Sequence, residues 1–253
     1  MSTAPLRRFA PAAIALLVIV AVWQLYVVRY DVRPQLLPSP VRVVEQGWAS
    51  RDALARNAAA TLQVTFAGFG VSLIVSWALA VAIDFSSWLR RALVPLFVTS
   101  QTIPIIVIAP LMITWFGFGL FPKVLLVALA TFFPLVIGLI EGFTSTDREA
   151  GALLRSMGAS RWKEFRYVRL PTALPPFFTA LRIGITYAVV GAVFAEYAGA
   201  ESGLGVYMAR QKQMFRTDLV LAAIVVTAVI SIFLFLLTYV VERVVAPWVR
   251  ELR

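Results

Sequence analysis

An all-α polytopic membrane protein with six transmembrane helices is the architecture that the sequence predicts, and three observations lead there. Hydrophobic residues make up 60% of the 253 positions and charged residues only 14%, where a soluble domain carries about 25% charged residues. Mean hydropathy is +0.85. The apolar residues are also gathered into long uncharged runs, each comparable to the roughly 20 residues a helix needs to cross a ~30 Å hydrocarbon core. With so little polar surface, the excess must face lipid. The chain has no cysteine and no histidine. That excludes a disulfide scaffold, a thiolate zinc site, a cysteine nucleophile and the usual general base.

Residues 1–253 read as a single transmembrane domain. Arg7 and Arg8 precede the uncharged run Pro11–Val28. The pattern is signal-like, but the run exceeds a usual signal core, and Gln24-Leu25-Tyr26-Val27-Val28 offers no small-x-small cleavage site, so 11–28 is an uncleaved first span. Leu37-Pro38-Ser39-Pro40 then leads into an amphipathic stretch, Val41–Asn57, expected to lie at the membrane interface. The run Asn57–Ile83 holds the second span, at 59–83. Ala92–Pro122 is too long for one crossing, and Phe116-Gly117-Phe118-Gly119 reads as a turn. This divides it into a third span at 92–114 and the start of a fourth at 122–141. The fifth, 176–197, is interrupted only by Arg182, whose long stem is expected to return its charge to the interface. A glycine-rich polar loop at 198–217 precedes the sixth span, 218–241.

Six crossings put both termini on one side. The formal net charge of +10 would suggest nucleic acid in a soluble protein, but in a membrane protein its distribution reports orientation. With cytoplasmic termini, thirteen Lys and Arg fall inside and nine outside, leaving Arg182 within its span. Arg7-Arg8, Arg90-Arg91 and Arg243 flank spans on the inner side and support that orientation.

The most charged inner segment, 142–175, is the most informative. Asp147 to Met157 has helical composition without a breaker, and Leu153, Leu154 and Met157 are spaced to share a face. Gly158 suits a helix C-terminus that needs a left-handed residue. Ser160 can N-cap a second short helix presenting Trp162 and Phe165, which Leu170-Pro171 is expected to end. Two short helices with a sharp bend, apolar side chains amid charge, suit docking into a partner's groove. An ordinary interfacial loop with snorkelling arginines fits the residues equally well.

This segment resembles the cytoplasmic loop of binding-protein-dependent transport permeases, the membrane subunits of bacterial ABC importers. Gly158, nine residues, then Val168-Arg169-Leu170-Pro171 follow that family's spacing, and Gly158-Ala159-Ser160 and Leu174-Pro175 match as well. One departure is visible: Ala152-Leu153-Leu154 stands where the family carries Glu-Ala-Ala, and Glu149-Ala150-Gly151 resembles that triplet three residues earlier. The resemblance runs from about 36 to 248, through Leu37-Pro38-Ser39-Pro40, Thr61-Leu62 with Gly68-Phe69, Trp115 to Gly119, Phe132-Phe133-Pro134 and Ser202-Gly203-Leu204-Gly205. Within the family the chain is most similar to the nitrate, sulfonate and taurine branch. Gly119 to Lys123, Leu154 to Gly158, Ala195 to Ala200 and Phe215 to Asp218 are closest to permeases for thiamine-precursor pyrimidines, with riboflavin importers near neighbours.

The resemblance implies a methionine-importer-like ABC permease fold in the bacterial cytoplasmic membrane. It implies a coupling loop at 142–175 in which Gly158 supplies the bend and Ala159, Ser160, Trp162, Phe165, Leu170 and Pro171 serve ATPase coupling. Two ATPase copies, an extracytoplasmic substrate-binding protein and a second permease copy are the implied partners, with no nucleic acid.

No G-x-x-x-x-G-K-[ST] occurs in the chain, so it has no P-loop to cradle ATP. If transport is ATP-driven, ATP and its Mg²⁺ are expected on a separate ATPase subunit, and this chain is expected to be a transport subunit without cofactor or enzymatic activity of its own. A translocation pathway needs polar or kinked positions in apolar helices. Gln101 and Thr102 beside Pro104, Tyr187 in the fifth span, and Glu196 at its outer end are the candidates. Gly138 and Gly142 read as helix packing. A stand-alone secondary transporter or channel would carry coupling-ion residues mid-span, and a membrane-embedded enzyme would need paired carboxylates, His or Cys. The sequence favours neither.

Overall fold

The computed structural model describes residues 4–250, all helix and connection. The terminal residues 1–3 and 251–253, and with them the expected placement of the chain ends, lie outside it. In chain order the helices are α1 (Ala4–Arg29), α2 (Pro40–Ala49), α3 (Arg51–Phe85), α4 (Ser87–Ser100), α5 (Ile105–Phe116), α6 (Leu120–Thr144), α7 (Arg148–Ser156), α8 (Arg161–Glu164), α9 (Leu170–Gly199), α10 (Leu204–Gln213) and α11 (Thr217–Val245). A π-turn at Phe165–Arg169 joins α8 to α9. Among the described residues five helices are long and apolar enough to cross a membrane: α1, α3, α6, the continuous α8–α9 rod and α11.

The core is a trio of α3, α6 and α9, and the α6–α9 and α3–α6 pairs make the two most extensive interfaces. Water does not drive helices together inside lipid, so close backbone approach through small residues takes its place. On α3 the buried face runs Thr61, Thr65, Gly68, Ser72, Ser76, Ala80, all small side chains. A Cβ on Gly68 would lie 2.5 Å from that of Val127. Gly138 of α6 sits against Ala180 of α9, and one turn on, a Cβ on Gly142 would meet Ala173 at 2.9 Å. The Gly138–Gly142 pair is therefore a packing seam. At the inner end Phe143, Phe165, Phe177 and Phe178 close a core with Ile83, Leu135 and Leu139.

Four expectations are corrected. The third span, 92–114, is two short helices broken at Gln101–Pro104. Pro104 cannot donate a helical hydrogen bond, and its ring disfavours helical backbone at the preceding residue. Leu170-Pro171 does not end the second loop helix. The π-turn widens the helix by one residue, Leu170 N–H bonding to Phe165 O, and the rod absorbs the proline and continues. The interfacial stretch 41–57 is divided at Ser50, its second half forming the start of α3, and the outer loop contains the helix α10. Arg182 does not carry its charge to solvent. It is buried, paired at 3.0 Å with Glu242 of α11, and its guanidinium lies 4.2 Å from the Tyr239 ring centre. Pairing replaces water as the partner of a charge held between helices.

Candidate functional site

The inner loop is a bent element held by charge. Asp147 caps α7 by accepting from Glu149 N–H at 2.8 Å, and Ser160 caps α8 by accepting from Lys163 N–H at 3.4 Å. Between them Gly158 has φ +78°, a left-handed conformation that a side chain resists. Below the bend lies a cluster of ion pairs. Arg169 binds Asp84 at the end of α3 at 2.7 Å and Glu164 at 3.0 Å, Arg155 of α7 binds Glu164 at 2.9 Å, and Arg90 of α4 approaches Asp84 at 3.8 Å. Both carboxylates are nearly enclosed, with side-chain exposures of 4% and 6%. Gly151 makes room for this cluster, since a Cβ there would stand 2.9 Å from the Glu164 carboxylate. Charges on enclosed carboxylates are screened less than surface ones, so the Arg169 pairs link the π-turn and α8 to the end of α3, while the more exposed Arg155 and Arg90 add contacts from α7 and α4.

The loop residues named from sequence divide into two sets. Gly158, Ser160 and Trp162 are exposed, Ala159 half-buried. Together with exposed Leu153 and Met157 they form an apolar surface on the outside of the bend. Phe165 is only 5% exposed and packs against Phe85, Phe143 and Trp162 with ring centres 5.3 to 5.5 Å apart. Leu170 and Pro171 are half-buried at the π-turn. These three hold the element to the bundle. Sequence reasoning did not pick out Asp84, Glu164 and Arg169. The available signal was a lone acid, Asp84, ending the second apolar run.

The second region is a face of the bundle that no other helix covers among the described residues. Along α9 the exposed positions Thr179, Ile183, Tyr187, Val190, Phe194 and Tyr197 are three or four residues apart and so lie on one stripe. Beside it the α4–α5 break places Gln101 and Thr102, both exposed. Two cavities open here. One of about 270 Å³ is lined by Gln101, Ile105, Leu129, Phe133 and Tyr187. The other, about 440 Å³, lies toward the inner ends of α6 and α9 and is lined by Gln101, Phe133, Glu141, Thr179 and Tyr187. Gln101 and Tyr187 are thus brought together, whereas Thr102, next to Gln101 in the break, lines neither cavity.

Glu196 is not part of that face. It is 1% exposed, accepting from Thr61 Oγ1 at 3.0 Å and from Gly205 N–H at 2.9 Å. Thr61 Oγ1 in turn accepts from Leu204 N–H at 2.9 Å, and Asn57 Oδ1 from Gly203 N–H at 3.0 Å. The segment Ser202-Gly203-Leu204-Gly205 is therefore stitched onto α3 and α9, with Gly203 (φ +126°) seated directly on the Glu196 carboxylate.

A membrane-length helical bundle with a bent, charge-clamped inner loop and a polar, uncovered face is the anatomy of a multi-pass permease subunit. The chain belongs to the family of binding-protein-dependent transport system inner membrane components, whose model matches residues 70–251. It is 33% identical over 233 residues to the formylaminopyrimidine transport permease ThiX of Halalkalibacterium halodurans, covering 92% of this chain and 93% of that one. It is 35% identical over 237 residues to the riboflavin transport system permease RibX of Chloroflexus aurantiacus, covering 93% and 88%. Its fold matches the MetNI methionine ABC transporter with a TM-score of 0.68 at 17% identity, over 78% of this chain and 97% of that one. The protein is accordingly an inner-membrane permease subunit of an ABC importer and not itself an enzyme. Permeases of this kind work with an ATPase and a substrate-binding protein.

Proposed function

We propose that this permease carries a small polar organic solute inward, with a thiamine-precursor pyrimidine as the best single assignment. Riboflavin, taurine or another alkanesulfonate, and nitrate are the alternatives on the same machinery. The similarity to the ThiX and RibX permeases supports a nitrogen heterocycle. In this reading α4 and α5 cross the membrane together as one discontinuous span, which makes six crossings with both termini in the cytoplasm. Two copies pair through the uncovered stripe of α9, enclosing a pathway that Gln101, Thr102 and Tyr187 line. Glu196 secures the outer loop at the mouth.

The observation that carries the ATP-coupled reading is the bend at Gly158, an exposed apolar knuckle tied by Arg155, Glu164 and Arg169 to the inner end of α3. One ATPase subunit docks on each copy's knuckle through Leu153, Met157, Ala159 and Trp162. Because the element is rigid, ATPase closure shifts α3 and α9 with it and changes access at the pathway. Gly158→Val tests this. There is open space around Gly158, so the substitution acts through backbone strain of about 1–2 kcal/mol, which reshapes the bend rather than the core. Co-purification of the ATPase subunit and solute uptake both fall. Wild-type levels of both would remove the coupling assignment.

A further inference from the structure

The face around the α4–α5 break carries chemistry that selects among solutes. A helix interrupted within the apolar depth of a membrane protein is tolerated where its freed backbone lines a cavity, and here it does. The Gln101 and Ile103 carbonyls accept no backbone hydrogen bond among the described residues. Most side-chain hydroxyls nearby are already used: Ser100 donates to Phe97 O at 2.9 Å, Thr102 to Thr99 O at 2.8 Å and Thr179 to Pro175 O at 3.2 Å. The Gln101 carboxamide and the Tyr187 phenol are the polar side-chain groups shared by both cavities. Phe133 also lines both cavities.

We propose that Gln101 and Tyr187 form the selecting contact of the translocation pathway, and that the solute they select is uncharged, flat and heteroaromatic. The proposal rests on the reading of the chain as an importer permease. A carboxamide presents a donor and an acceptor side by side, which matches the edge of a nitrogen heterocycle bearing the complementary pair. The Tyr187 and Phe133 rings offer faces for stacking. Neither cavity is lined by a lysine or arginine, and the inner one contains Glu141. A sulfonate or nitrate passing here would meet no cation and one carboxylate, whereas anion sites are built from charge-assisted donors. Lys123 lines a separate cavity at the outer end, which it shares with Glu201.

The test uses the permease assembled with its ATPase and loaded binding protein in vesicles, with formylaminopyrimidine, riboflavin and taurine as probes. Wild type takes up a heterocycle and not taurine. Gln101→Leu and Tyr187→Ala each lower the ATP-dependent uptake rate about tenfold, the scale of losing one or two buried polar contacts. Tyr187→Phe, which keeps the ring, falls less than Tyr187→Ala. Solute affinity of the separate binding protein stays constant. Co-purification with the ATPase is the folding control, and near-isosteric Gln101→Glu, with the same loss expected, replaces any variant that fails it. Wild-type uptake by assembled Gln101→Leu and Tyr187→Ala would overturn the selecting contact. ATP-dependent uptake of taurine without any heterocycle would overturn the solute class. Both results would leave the importer reading standing, whereas uptake of a heterocycle that proceeds without ATP or the ATPase would remove that reading and the proposal with it.

Discussion

Gly203 shows how much a single residue can hold at the outer mouth. Its φ of +126° lies where side chains are strained, and a Cβ there would enter the Glu196 carboxylate. Gly203→Ala is expected to destabilise the purified protein by about 1–3 kcal/mol. Gly117→Ala, at φ +73° and ψ −171° in open space, carries the cost of that glycine-only backbone alone, about 1–3 kcal/mol, so Gly203→Ala, which adds the clash with Glu196, is the more destabilising of the two. Thermal unfolding in detergent orders the two variants, and an equal or reversed order would contradict the stitched-loop account. A second residue-scale expectation concerns Arg182 and Glu242, both buried and 3.0 Å apart. Arg182→Met leaves Glu242 without its partner and lowers stability by about 3–5 kcal/mol. Adding Glu242→Leu recovers most of that loss, because removing both charges also removes the desolvation problem. Non-recovery in the double variant would show that Arg182 acts other than through the pair. From sequence, Arg182 reads as a snorkelling side chain, because the only visible variable is its position in the run. That Glu242, 60 residues away, supplies a partner is a tertiary fact.

At the scale of elements, the sequence made the apolar helices and the Gly158 bend legible, because both rest on local rules: run length, left-handed glycine, and Ser160 as a cap. The same local rules failed at prolines. Pro104 breaks a helix that run length alone would continue, while Pro171 is absorbed by a π-turn where the proline rule would stop the helix. The difference lies in what surrounds them. The π-turn is held by Phe165 in the aromatic inner core and by the Arg169 ion pairs, whereas the α4–α5 break opens on cavities. Replacing Pro104 with alanine permits α4 and α5 to join, filling the break. The expected result is a marked loss of uptake with ATPase co-purification retained, and undiminished uptake would show that the interruption is not needed. The ion cluster belongs to this scale as well. Arg169→Gln leaves Asp84 and Glu164 with one arginine partner each, and is expected to lower uptake through looser transmission while solute binding to the binding protein stays the same. Charge placement made the inner loop conspicuous, but the pairing across α3, α4, α7 and α8 depends on packing that no local pattern encodes.

For the whole molecule, the distribution of burial argues that the chain is one part of a larger assembly. α9 is the most enclosed membrane-length helix, with 61% of its apolar window buried, and still leaves one continuous stripe open; α1 has only 6% buried. The stripe carries Thr179, Tyr187 and Tyr197 among Ile183, Val190 and Phe194, with Gln101 beside it. The inner knuckle, with Met157 74% and Trp162 58% exposed, is apolar surface left uncovered by the described residues. Such patches mark interaction sites. An assembly of permease copies, ATPases and a binding protein would cover both surfaces. The competing class, a self-contained transporter, would work without them. The most direct discrimination is solute uptake into vesicles holding this permease, measured with and without its ATPase subunit and loaded binding protein. The account predicts uptake only when all are present and ATP is on the ATPase side, and its loss in Gly158→Val. Uptake by this chain alone, driven by an ion gradient and indifferent to ATP, would contradict it.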